Sequence, residues 1–456
     1  MRHYPEAIIQ KYAVNVPRYT SYPTAPHFDH SVGSQEYCRW LGAMEADTGI
    51  SIYLHIPFCD RLCWFCGCHT KHTLKYQPVR NYLAVLYREI ELVAALIGKN
   101  ARIRQLHLGG GSPSMLKSED LLELKTCLGS NFRFCDDTQI SIELDPSDLV
   151  ENQLEGFADF GMNRASIGVQ DFSPDVQQAI NRPQSFEDTQ FVVNSLRQTG
   201  INSLNIDALY GLPLQTNDGL RNTLEQVVFL DPDRIALFGY AHVPWMKKHQ
   251  QMIDESTIPN TSARFAQARM AEDFLRQCGY LQIGIDHFAR PGDSLAKAMQ
   301  ERKLRRNFQG YTTDDSQYLI GLGASSIGKT PDGFVQNTHA TATYMKQVES
   351  GELPIFRGRG LTDADKLRSG VIEQLMCYFE ISFAWLEENT NAGNRREVDK
   401  IHAIARQLAA DSDDGYFSQT KNSYRIAGEG RPFTRQFAAR FDAYLNHNAA
   451  RYSVAV

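Results

Sequence analysis

Four cysteines lie within the segment 59–68, and three of them have a spacing that suits an iron–sulfur cluster. Cys59, Cys63 and Cys66 follow the pattern C-x3-C-x2-C directly after a predicted strand. One tight loop can therefore present three thiolates to three irons of a cubane cluster, and the fourth iron has no protein sulfur. Such an open iron can bind the amino and carboxylate groups of S-adenosylmethionine. One electron from the cluster can then break the neighbouring carbon–sulfur bond.

Zinc is the alternative ligand for this loop, because four thiolates are adequate zinc ligands. The usual zinc pattern has paired CxxC motifs with a longer spacer, which this loop lacks, so the sequence favours the cluster. Cys68 is separated from Cys66 by one glycine, and two such thiols do not fit one cubane without strain. We therefore expect Cys68 beside the cluster in a catalytic role, with a spare buried thiol as the alternative. The other cysteines are scattered in apolar surroundings, as reduced core residues are: Cys38, Cys127, Cys135, Cys278 and Cys377.

The segments that must position this loop alternate between short apolar runs and longer amphipathic stretches. The alternation predicts β/α units with a parallel sheet. Six consecutive units suit an α/β fold with a partial (β/α)6 TIM-like barrel, in which ligands bind at the C-terminal ends of the strands. An open doubly wound sheet is the alternative, because strand count does not show whether a sheet curls. The predicted strands are 51–56, 103–108, 139–144, 163–168, 202–207 and 233–238.

Residues with chemical potential follow these strands. Tyr53 and His55 alternate on the first strand, so both can point into the pocket as catalytic residues, unless they form a buried core pair. The glycines at 109–111 let the backbone approach a ligand and expose amides, with a tight turn as the alternative. Polar side chains at later strand ends can accept hydrogen bonds from a ribose or an ammonium group, with helix capping or ion pairing as the alternative. They are Glu143, Asp145, Gln170, Asp171 and Asp207.

Length and composition indicate a globular protein with more than one domain, since the chain has 456 residues and is 42% hydrophobic. We expect an N-terminal extension at 1–48, a catalytic domain at 49–360 and a small, mostly helical or winged-helix-like domain at 361–456. The segment 279–294 predicts one more strand, and 415–430 predicts a hairpin. A net charge of −6 argues against a nucleic-acid partner. The sequence shows neither a membrane span nor the apolar core of a signal peptide, so we expect a cytoplasmic location.

The cysteine loop resembles the signature of the radical S-adenosylmethionine superfamily, whose aromatic residue before the third cysteine matches Phe65. The resemblance implies reductive cleavage to methionine and a 5′-deoxyadenosyl radical. The whole chain resembles the oxygen-independent coproporphyrinogen III oxidases of haem biosynthesis. Matching segments run from VPRYTSYPTA at 16–25 through YLHIPFC, GGGSPS and NIDALYGLP to GLGASSIG at 321–328. The decamer and the fourth cysteine favour this family over a related haem-chaperone branch, which usually lacks both.

The resemblance implies one 4Fe-4S cluster on Cys59, Cys63 and Cys66, and two S-adenosylmethionine molecules side by side. The residues that match those around the cluster-bound molecule are Tyr53, Gly110, Glu143 and Ile327. The residues that match those around the second molecule are Phe65, Gly111, Ser112, Gln170, Arg182, Asp207 and Ala241. Ser112 replaces a common threonine and keeps its hydroxyl, while Trp64 replaces a frequent tyrosine and keeps an aromatic plane.

The implied reaction removes the carboxyl groups of two propionate side chains of coproporphyrinogen III and gives protoporphyrinogen IX. A hydrogen is taken by the radical, carbon dioxide leaves, and an acceptor takes the remaining electron. A monomer with a low-potential donor such as flavodoxin or ferredoxin is expected, and a haem-trafficking or porphyrin-cleaving protein is the rival. Four substrate carboxylates require local cations, unless these are merely solvated arginines. The candidates are Arg18, Arg290, Arg305, Arg306, Arg357 and Arg359.

Overall fold

The computed structural model describes residues 4–98 and 101–445, and its largest element is a twelve-stranded sheet. The strands begin with β1 (Gly49–Ile56), β2 (Phe58–Cys59), β3 (Lys71–His72), β4 (Arg102–Gly110), β5 (Arg133–Leu144), β6 (Arg164–Gln170), β7 (Ser203–Tyr210) and β8 (Arg234–Gly239). They continue with β9 (Leu281–Ile283), β10 (His287–Ala289), β11 (Arg305–Asn307), β12 (Gly310–Thr312), β13 (Tyr318–Leu322) and β14 (Ile327–Thr330). The last strands are β15 (Gly333–Asn337), β16 (Ile355–Gly360), β17 (Glu380–Ser382), β18 (Phe417–Gln419) and β19 (Ser423–Ile426).

Helices connect these strands and cover the sheet. The first are α1 (Glu6–Tyr12), α2 (Ser34–Gly42), α3 (Gln77–Ile97), α4 (Ser118–Asn131), α5 (Glu151–Phe160), α6 (Pro174–Ala179), α7 (Phe186–Gln198) and α8 (Asn217–Phe229). The others are α9 (Thr261–Gln277), α10 (Ser294–Gln300), α11 (Thr341–Glu349), α12 (Asp363–Tyr378), α13 (Phe383–Glu388), α14 (Arg395–Ala410) and α15 (Thr434–Ala439). In the described part of the chain, no helix is both long and apolar enough to cross a membrane.

The six predicted strands form the parallel part of the sheet. β1, β4, β5, β6, β7 and β8 are neighbours in chain order, and each adjacent pair is parallel. A doubly wound sheet would reverse its strand order at one point. The unbroken order therefore confirms the barrel-type fold. The barrel is not closed, because β16 and β9 are the two edge strands of the sheet.

Alternating burial shows which side chains face the barrel interior. In β7 the apolar Ile206 and Ala208 are buried, whereas Asn205 and Asp207 between them are only half-buried. Successive side chains of a strand point to opposite faces, so the polar pair faces inward and the apolar pair faces the helices. Helices α3, α4, α5 and α7 pack one against the next on the outer face. The interior is therefore polar near the strand ends.

Two features of the sheet differ from the sequence prediction. A seventh parallel strand, β13, pairs with β1 and places Gly321 opposite Tyr53. A Cβ at Gly321 would lie 2.5 Å from the carbonyl oxygen of Ile327, so the glycine lets β14 approach. The single strand predicted at 279–294 is wrong, because β9 and β10 form an antiparallel pair there. Gly284 turns the chain between them with a φ of +56°.

The C-terminal part contains the predicted helices and hairpin, together with one unpredicted strand. Strands β18 and β19 form the hairpin, and β17 completes a three-stranded sheet beside α12 and α14. The last described helix is α15, and the chain beyond 445 lies outside the described residues. Tyr4, Tyr12 and Tyr19 of the N-terminal segment share this apolar core, whereas Trp40 joins the barrel core. The boundaries predicted after 48 and 360 remain predictions.

A buried carboxyl group joins α3 to the loop that follows β13. Glu89 is 1% exposed and accepts hydrogen bonds from the Gly323 amide at 2.7 Å and from Asn337 Nδ2 at 2.7 Å. The Tyr344 hydroxyl donates a third bond at 2.6 Å. The same loop packs on the backbone of His55, since a Cβ at Gly323 would lie 2.6 Å from the His55 carbonyl oxygen. Glu89 therefore supports the strand that carries the site.

Glu89 is expected to make stability depend on pH. Burial raises the pKa of Glu89 from 4.5 to about 7, despite its hydrogen bonds. Between these values the folded state keeps a proton that the unfolded chain has released, so stability falls as pH rises through this window. The expected loss approaches about 3 kcal/mol. It is measured as the fall in melting temperature of anaerobic protein between about pH 5 and pH 8. Glu89→Gln should flatten this dependence, Glu123→Gln should not, and an equal slope in Glu89→Gln contradicts the assignment.

Candidate active site

The cysteine loop leaves the end of β1 and is closed by the short parallel pair of β2 and β3. Cys59 Sγ lies 2.8 Å from the Thr70 hydroxyl. Cys66 Sγ accepts the Cys68 amide at 3.3 Å, and Cys63 Sγ accepts Arg182 Nη1 at 3.4 Å. All the loop thiols are free of disulfides. Donors directed at sulfur are a feature of iron–sulfur ligation, so the loop fits a cluster.

Thiol chemistry separates Cys68 from the other loop cysteines. Burial raises the pKa of Cys59 to about 12, and burial also raises the pKa of Cys63. The hydrogen bond from Cys68 lowers the pKa of Cys66 to about 7, and the same bond raises the pKa of Cys68 well above its usual value. Cys68 is exposed, unlike the spare buried thiol of the alternative. Cys68 therefore differs from the other three loop cysteines in exposure, and its amide donates to Cys66 Sγ.

A zinc site needs several ligands that converge on one point. Among residues 4–98 and 101–445, no three His, Cys, Asp or Glu side chains are grouped in that way. A cubane cluster does not require ligands that converge on one point, because each thiolate binds a separate iron.

Two other segments fix the loop in place. Trp64 donates its amide to the Ile180 carbonyl at 2.9 Å, and Asn181 Nδ2 donates to the Leu62 carbonyl at 2.9 Å. The segment after β8 donates to three loop carbonyls: Lys247 to Cys68 at 2.9 Å, His249 to Cys66 at 2.7 Å and Gln250 to Phe65 at 2.9 Å. Gln250 also bonds to the Ala241 carbonyl at 3.2 Å, which brings the predicted residues Phe65 and Ala241 together. No motif in the sequence signals this second clamp.

Tyr53 and His55 form a hydrogen-bonded pair on β1. His55 Nε2 lies 2.9 Å from the His69 carbonyl and must donate to it, so Nδ1 accepts from the Tyr53 hydroxyl at 3.1 Å. Burial lowers the pKa of His55, which keeps the ring neutral. Tyr53 also stacks on His107 with ring centroids 5.7 Å apart. Both ring nitrogens of His55 are used within the chain, which suits positioning of Tyr53 better than proton transfer.

The glycine run is required for packing. Gly110 has a φ of +117°, and a Cβ there would lie 2.6 Å from the His55 ring. A Cβ at Gly111 would lie 2.5 Å from the Phe58 carbonyl oxygen. The close approach of β4 to the cysteine loop therefore excludes larger residues.

The amides of this run are not free for a ligand. Gly110 donates to Glu143 Oε2 at 3.1 Å, and Gly111 donates to the Ile56 carbonyl at 2.8 Å. The Ser112 amide bonds to the Phe58 carbonyl at 2.7 Å, and its hydroxyl bonds to Ser114 at 2.6 Å. These three amides are therefore bonded within the chain, as in the tight turn given as the alternative, and contact of the glycine run with a cofactor stays a prediction.

Glu143 and Asp207 face the barrel interior from different strands. His107 Nε2 lies 3.0 Å from Glu143 Oε1. Burial alone would raise the pKa of Glu143, but this contact and the Gly110 amide lower it, so the group is ionised. Burial raises the pKa of Asp207, although Asn205 and the Ser166 hydroxyl donate to it at 2.8 and 3.0 Å. Glu143 therefore offers the stronger acceptor for a cationic ligand.

Arg182 connects two strand ends to the cysteine loop. Its Nη1 donates to Asp145 Oδ2 at 3.0 Å and to Cys63 Sγ, and its Nη2 donates to the Gly168 carbonyl at 2.6 Å. The side chain is buried, which alone would lower its pKa, but Asp145 and Cys63 raise the pKa of Arg182 above its usual range. Gln170, at the end of β6, has a φ of +68°. Its side-chain nitrogen and the Arg182 guanidinium both lie next to Gly168. Arg182 therefore ties the loop thiol to the barrel rim.

Asp171 does not face this site. Its Oδ1 accepts the Ser173 amide at 2.6 Å, and its Oδ2 accepts Gln215 Nε2 at 2.7 Å. It is 1% exposed, and burial raises its pKa. Its contacts are structural, but they are hydrogen bonds from an amide and a glutamine and not the helix cap or ion pair given as the alternative.

Only two of the six candidate arginines share a pocket. Arg18 and Arg306 line a cleft at the ends of β7 and β8. The other four pair elsewhere: Arg290 with Asp231, Arg305 with Glu373, Arg357 with Gln336 and Arg359 with Asp29. These four therefore do not line this cleft, and their contact with substrate carboxylates stays a prediction.

A three-cysteine loop on the first strand of a parallel, barrel-type sheet defines a radical S-adenosylmethionine protein. The model of the radical SAM superfamily matches residues 53–227. The chain is 44% identical over 440 residues to an oxygen-independent coproporphyrinogen III oxidase of Cereibacter sphaeroides, covering 96% of both chains. It is 38% identical over 443 residues to that of Escherichia coli, covering 97% of this chain and 96% of the other.

The structure is also similar to a solved one over almost its whole length. The coproporphyrinogen III oxidase (HemN) from Escherichia coli, described as a radical SAM enzyme, aligns with a TM-score of 0.90 and 36% identity. The alignment covers 97% of this chain and 99% of that chain. The chain belongs to the family of oxygen-independent coproporphyrinogen III oxidases.

Proposed function

We propose that this protein converts coproporphyrinogen III to protoporphyrinogen IX without oxygen, by oxidative decarboxylation of two propionate side chains to vinyl groups. The observation that carries the proposal is the 44% identity over 96% of both chains to a relative named for this activity. The free thiols of the loop and the donors aimed at their sulfurs support it.

The proposed cofactors are one 4Fe-4S cluster, held by Cys59, Cys63 and Cys66, and S-adenosylmethionine. When bound, they supply the carbon radical that removes a hydrogen atom from the substrate. The chain's own residues bind and orient the cofactors and the substrate. Arg182 fixes Cys63 to the rim, and neutral His55 fixes the Tyr53 hydroxyl.

We further propose that two S-adenosylmethionine molecules bind. Tyr53, Gly110, Glu143 and Ile327 would contact the first molecule. Their proximity supports this, because β1 lies between β4, which carries Gly110, and β13, which packs on Ile327. The proposed contacts of the second molecule are Phe65, Gly111, Ser112, Gln170, Arg182, Asp207 and Ala241. Gln250 links Phe65 to Ala241, and Arg182 lies beside Gln170, which supports a second site.

We also infer a cytoplasmic monomer that takes its electron from a low-potential donor such as flavodoxin or ferredoxin. The free cysteines are consistent with a reducing compartment. Reconstituted turnover with each donor, and the mass of the purified protein in solution, test these points.

The decisive experiment is anaerobic turnover with coproporphyrinogen III, with methionine counted against carbon dioxide. Protoporphyrinogen IX as product supports the proposal. Bound, unmodified haem without turnover would instead indicate a haem-trafficking protein. Absence of acid-labile sulfide would indicate a zinc or redox-sensing protein.

Cys68→Ser is expected to keep most of the cluster absorbance and to lower decarboxylation by about tenfold or more. The reason is its position, since its amide donates to Cys66 Sγ at 3.3 Å while its thiol is not one of the three proposed iron ligands. Visible spectra and product formation are measured together, with Cys135→Ser as the control. Normal product formation by the Cys68 variant would remove the catalytic role proposed for this thiol.

A further inference from the structure

A cleft formed by several parts of the chain is rich in arginine. It lies where β7 and β8 end, and Tyr210 and Gly239 form part of its wall. Helix α9, the N-terminal segment and the residues around α15 complete it. The arginines that line it are Arg18, Arg264, Arg269, Arg306, Arg431 and Arg435.

The acidic residues of the cleft balance only part of this charge. Glu272 and Asp286 are the carboxylates among its lining residues. Glu272 pairs with Arg269, and Asp286 Oδ2 lies 3.3 Å from Arg306 Nη2. Six arginines and two carboxylates thus line the same cleft. The chain as a whole has a net charge of −6, so this concentration is local.

The cleft contains donors that the protein does not satisfy. Arg264 Nη2 donates to the Tyr240 carbonyl at 2.6 Å, and Arg18 Nη2 donates to the Gly239 carbonyl at 2.9 Å. Within the described part of the chain, the Nε atoms of Arg264 and Arg306 are buried without a hydrogen-bond partner. Burial lowers the pKa of Arg435 to about 10, and the nearby Arg18 adds to the effect. Crowded, partly buried cations are costly unless an anion joins them.

We propose that this cleft binds the carboxylates of the propionate side chains that the tetrapyrrole substrate keeps. The inference rests on the proposed function and adds the site that orients the substrate. Guanidinium groups pair with carboxylates through two parallel hydrogen bonds, which fixes orientation as well as charge.

The position of the cleft indicates which propionates it holds. The cysteine loop follows β1, whereas the cleft lies at β7 and β8, with β4, β5 and β6 between them in the sheet. A propionate anchored on the cleft arginines is therefore held at a part of the barrel rim other than the end of β1, which carries the cysteine loop. The propionates that react must lie on the opposite side, towards the cysteines. The cleft thus holds one edge of the macrocycle while another edge reacts.

Binding of coproporphyrin III to anaerobic protein tests the proposal without turnover. This oxidised analogue keeps all four carboxylates, and its tetramethyl ester carries none. Quenching of tryptophan fluorescence should give a Kd for the acid that rises about tenfold or more in Arg264→Gln and in Arg435→Gln. The matched control is Arg290→Gln, whose guanidinium pairs with Asp231 outside the cleft and stacks on Tyr280. In turnover, the cleft variants should raise KM more than they lower kcat.

The outcomes test the cleft assignment independently of the proposed function. Wild-type Kd values in both cleft variants, or equal affinity for acid and ester, would overturn the cleft assignment even if wild-type protein makes protoporphyrinogen IX. The cleft assignment is supported if the tetramethyl ester binds weakly and binding of the acid depends on the arginines. This holds even if the protein shows no turnover. Cluster absorbance checks the folding of each variant, and Arg18→Gln, at an exposed position, replaces any variant that loses it.

Discussion

Cys63→Ser protein prepared without oxygen is expected to lack the visible absorbance of the cluster and to release no methionine from S-adenosylmethionine. Cys63 is buried, so an external thiol or water cannot easily replace its sulfur. Changes around a metal site commonly cost 10–100-fold in affinity or activity. Loss of a proposed ligand should therefore exceed about 100-fold in methionine release. Iron, acid-labile sulfide and methionine are measured on the same preparation.

Cys135→Ser is the matched control, because Cys135 lies at the start of β5, away from the loop. It should keep its iron, sulfide and turnover. Full cluster content in Cys63→Ser would show that this thiol is not a ligand. The assignment of the other two loop cysteines would then also need revision.

The parallel strands were predictable because their signal is local. Each is an apolar run of six residues followed by a helical period, and every predicted run lies within or overlaps a strand of the structure. β13 was missed, because its five residues carry no such contrast and their place beside β1 is a long-range pairing. The turn at Gly284 was also missed, because the segment 279–294 looks like one continuous strand in the sequence.

The features of the candidate site also divide into local ones, which the sequence predicts, and long-range ones, which it does not. Cysteine spacing within one loop is local and readable, and so are Tyr53 and Glu143 at the ends or faces of predicted strands. The intrachain partners of the Gly111 and Ser112 amides could not be predicted, because Ile56 and Phe58 lie on another segment. The arginine cleft joins positions 18, 264 and 435, which only the folded chain brings together. Charge counted along the sequence cannot show such a cluster.

Arg182→Met is expected to lower the reduction potential of the cluster and to slow turnover by about 10–100-fold. The guanidinium donates to Cys63 Sγ and places a positive charge beside it. Reduction adds negative charge to the cluster, so loss of this donor disfavours the reduced state. Loss of a charge-assisted bond of about 1.5–3 kcal/mol corresponds to a shift of at most about 65–130 mV for one electron. Anaerobic redox titration followed by spectroscopy measures it.

Arg182→Lys should shift the potential less, because it keeps the charge and loses the planar fork that also binds Asp145 and Gly168. Arg197→Met is the control, since its guanidinium bonds to the Leu230 and Asp231 carbonyls at the far ends of the helices. A potential in Arg182→Met equal to that of the wild type would show that the guanidinium does not act on the cluster. Slower turnover would then come from displacement of Asp145, whose pKa should rise once its cation is removed.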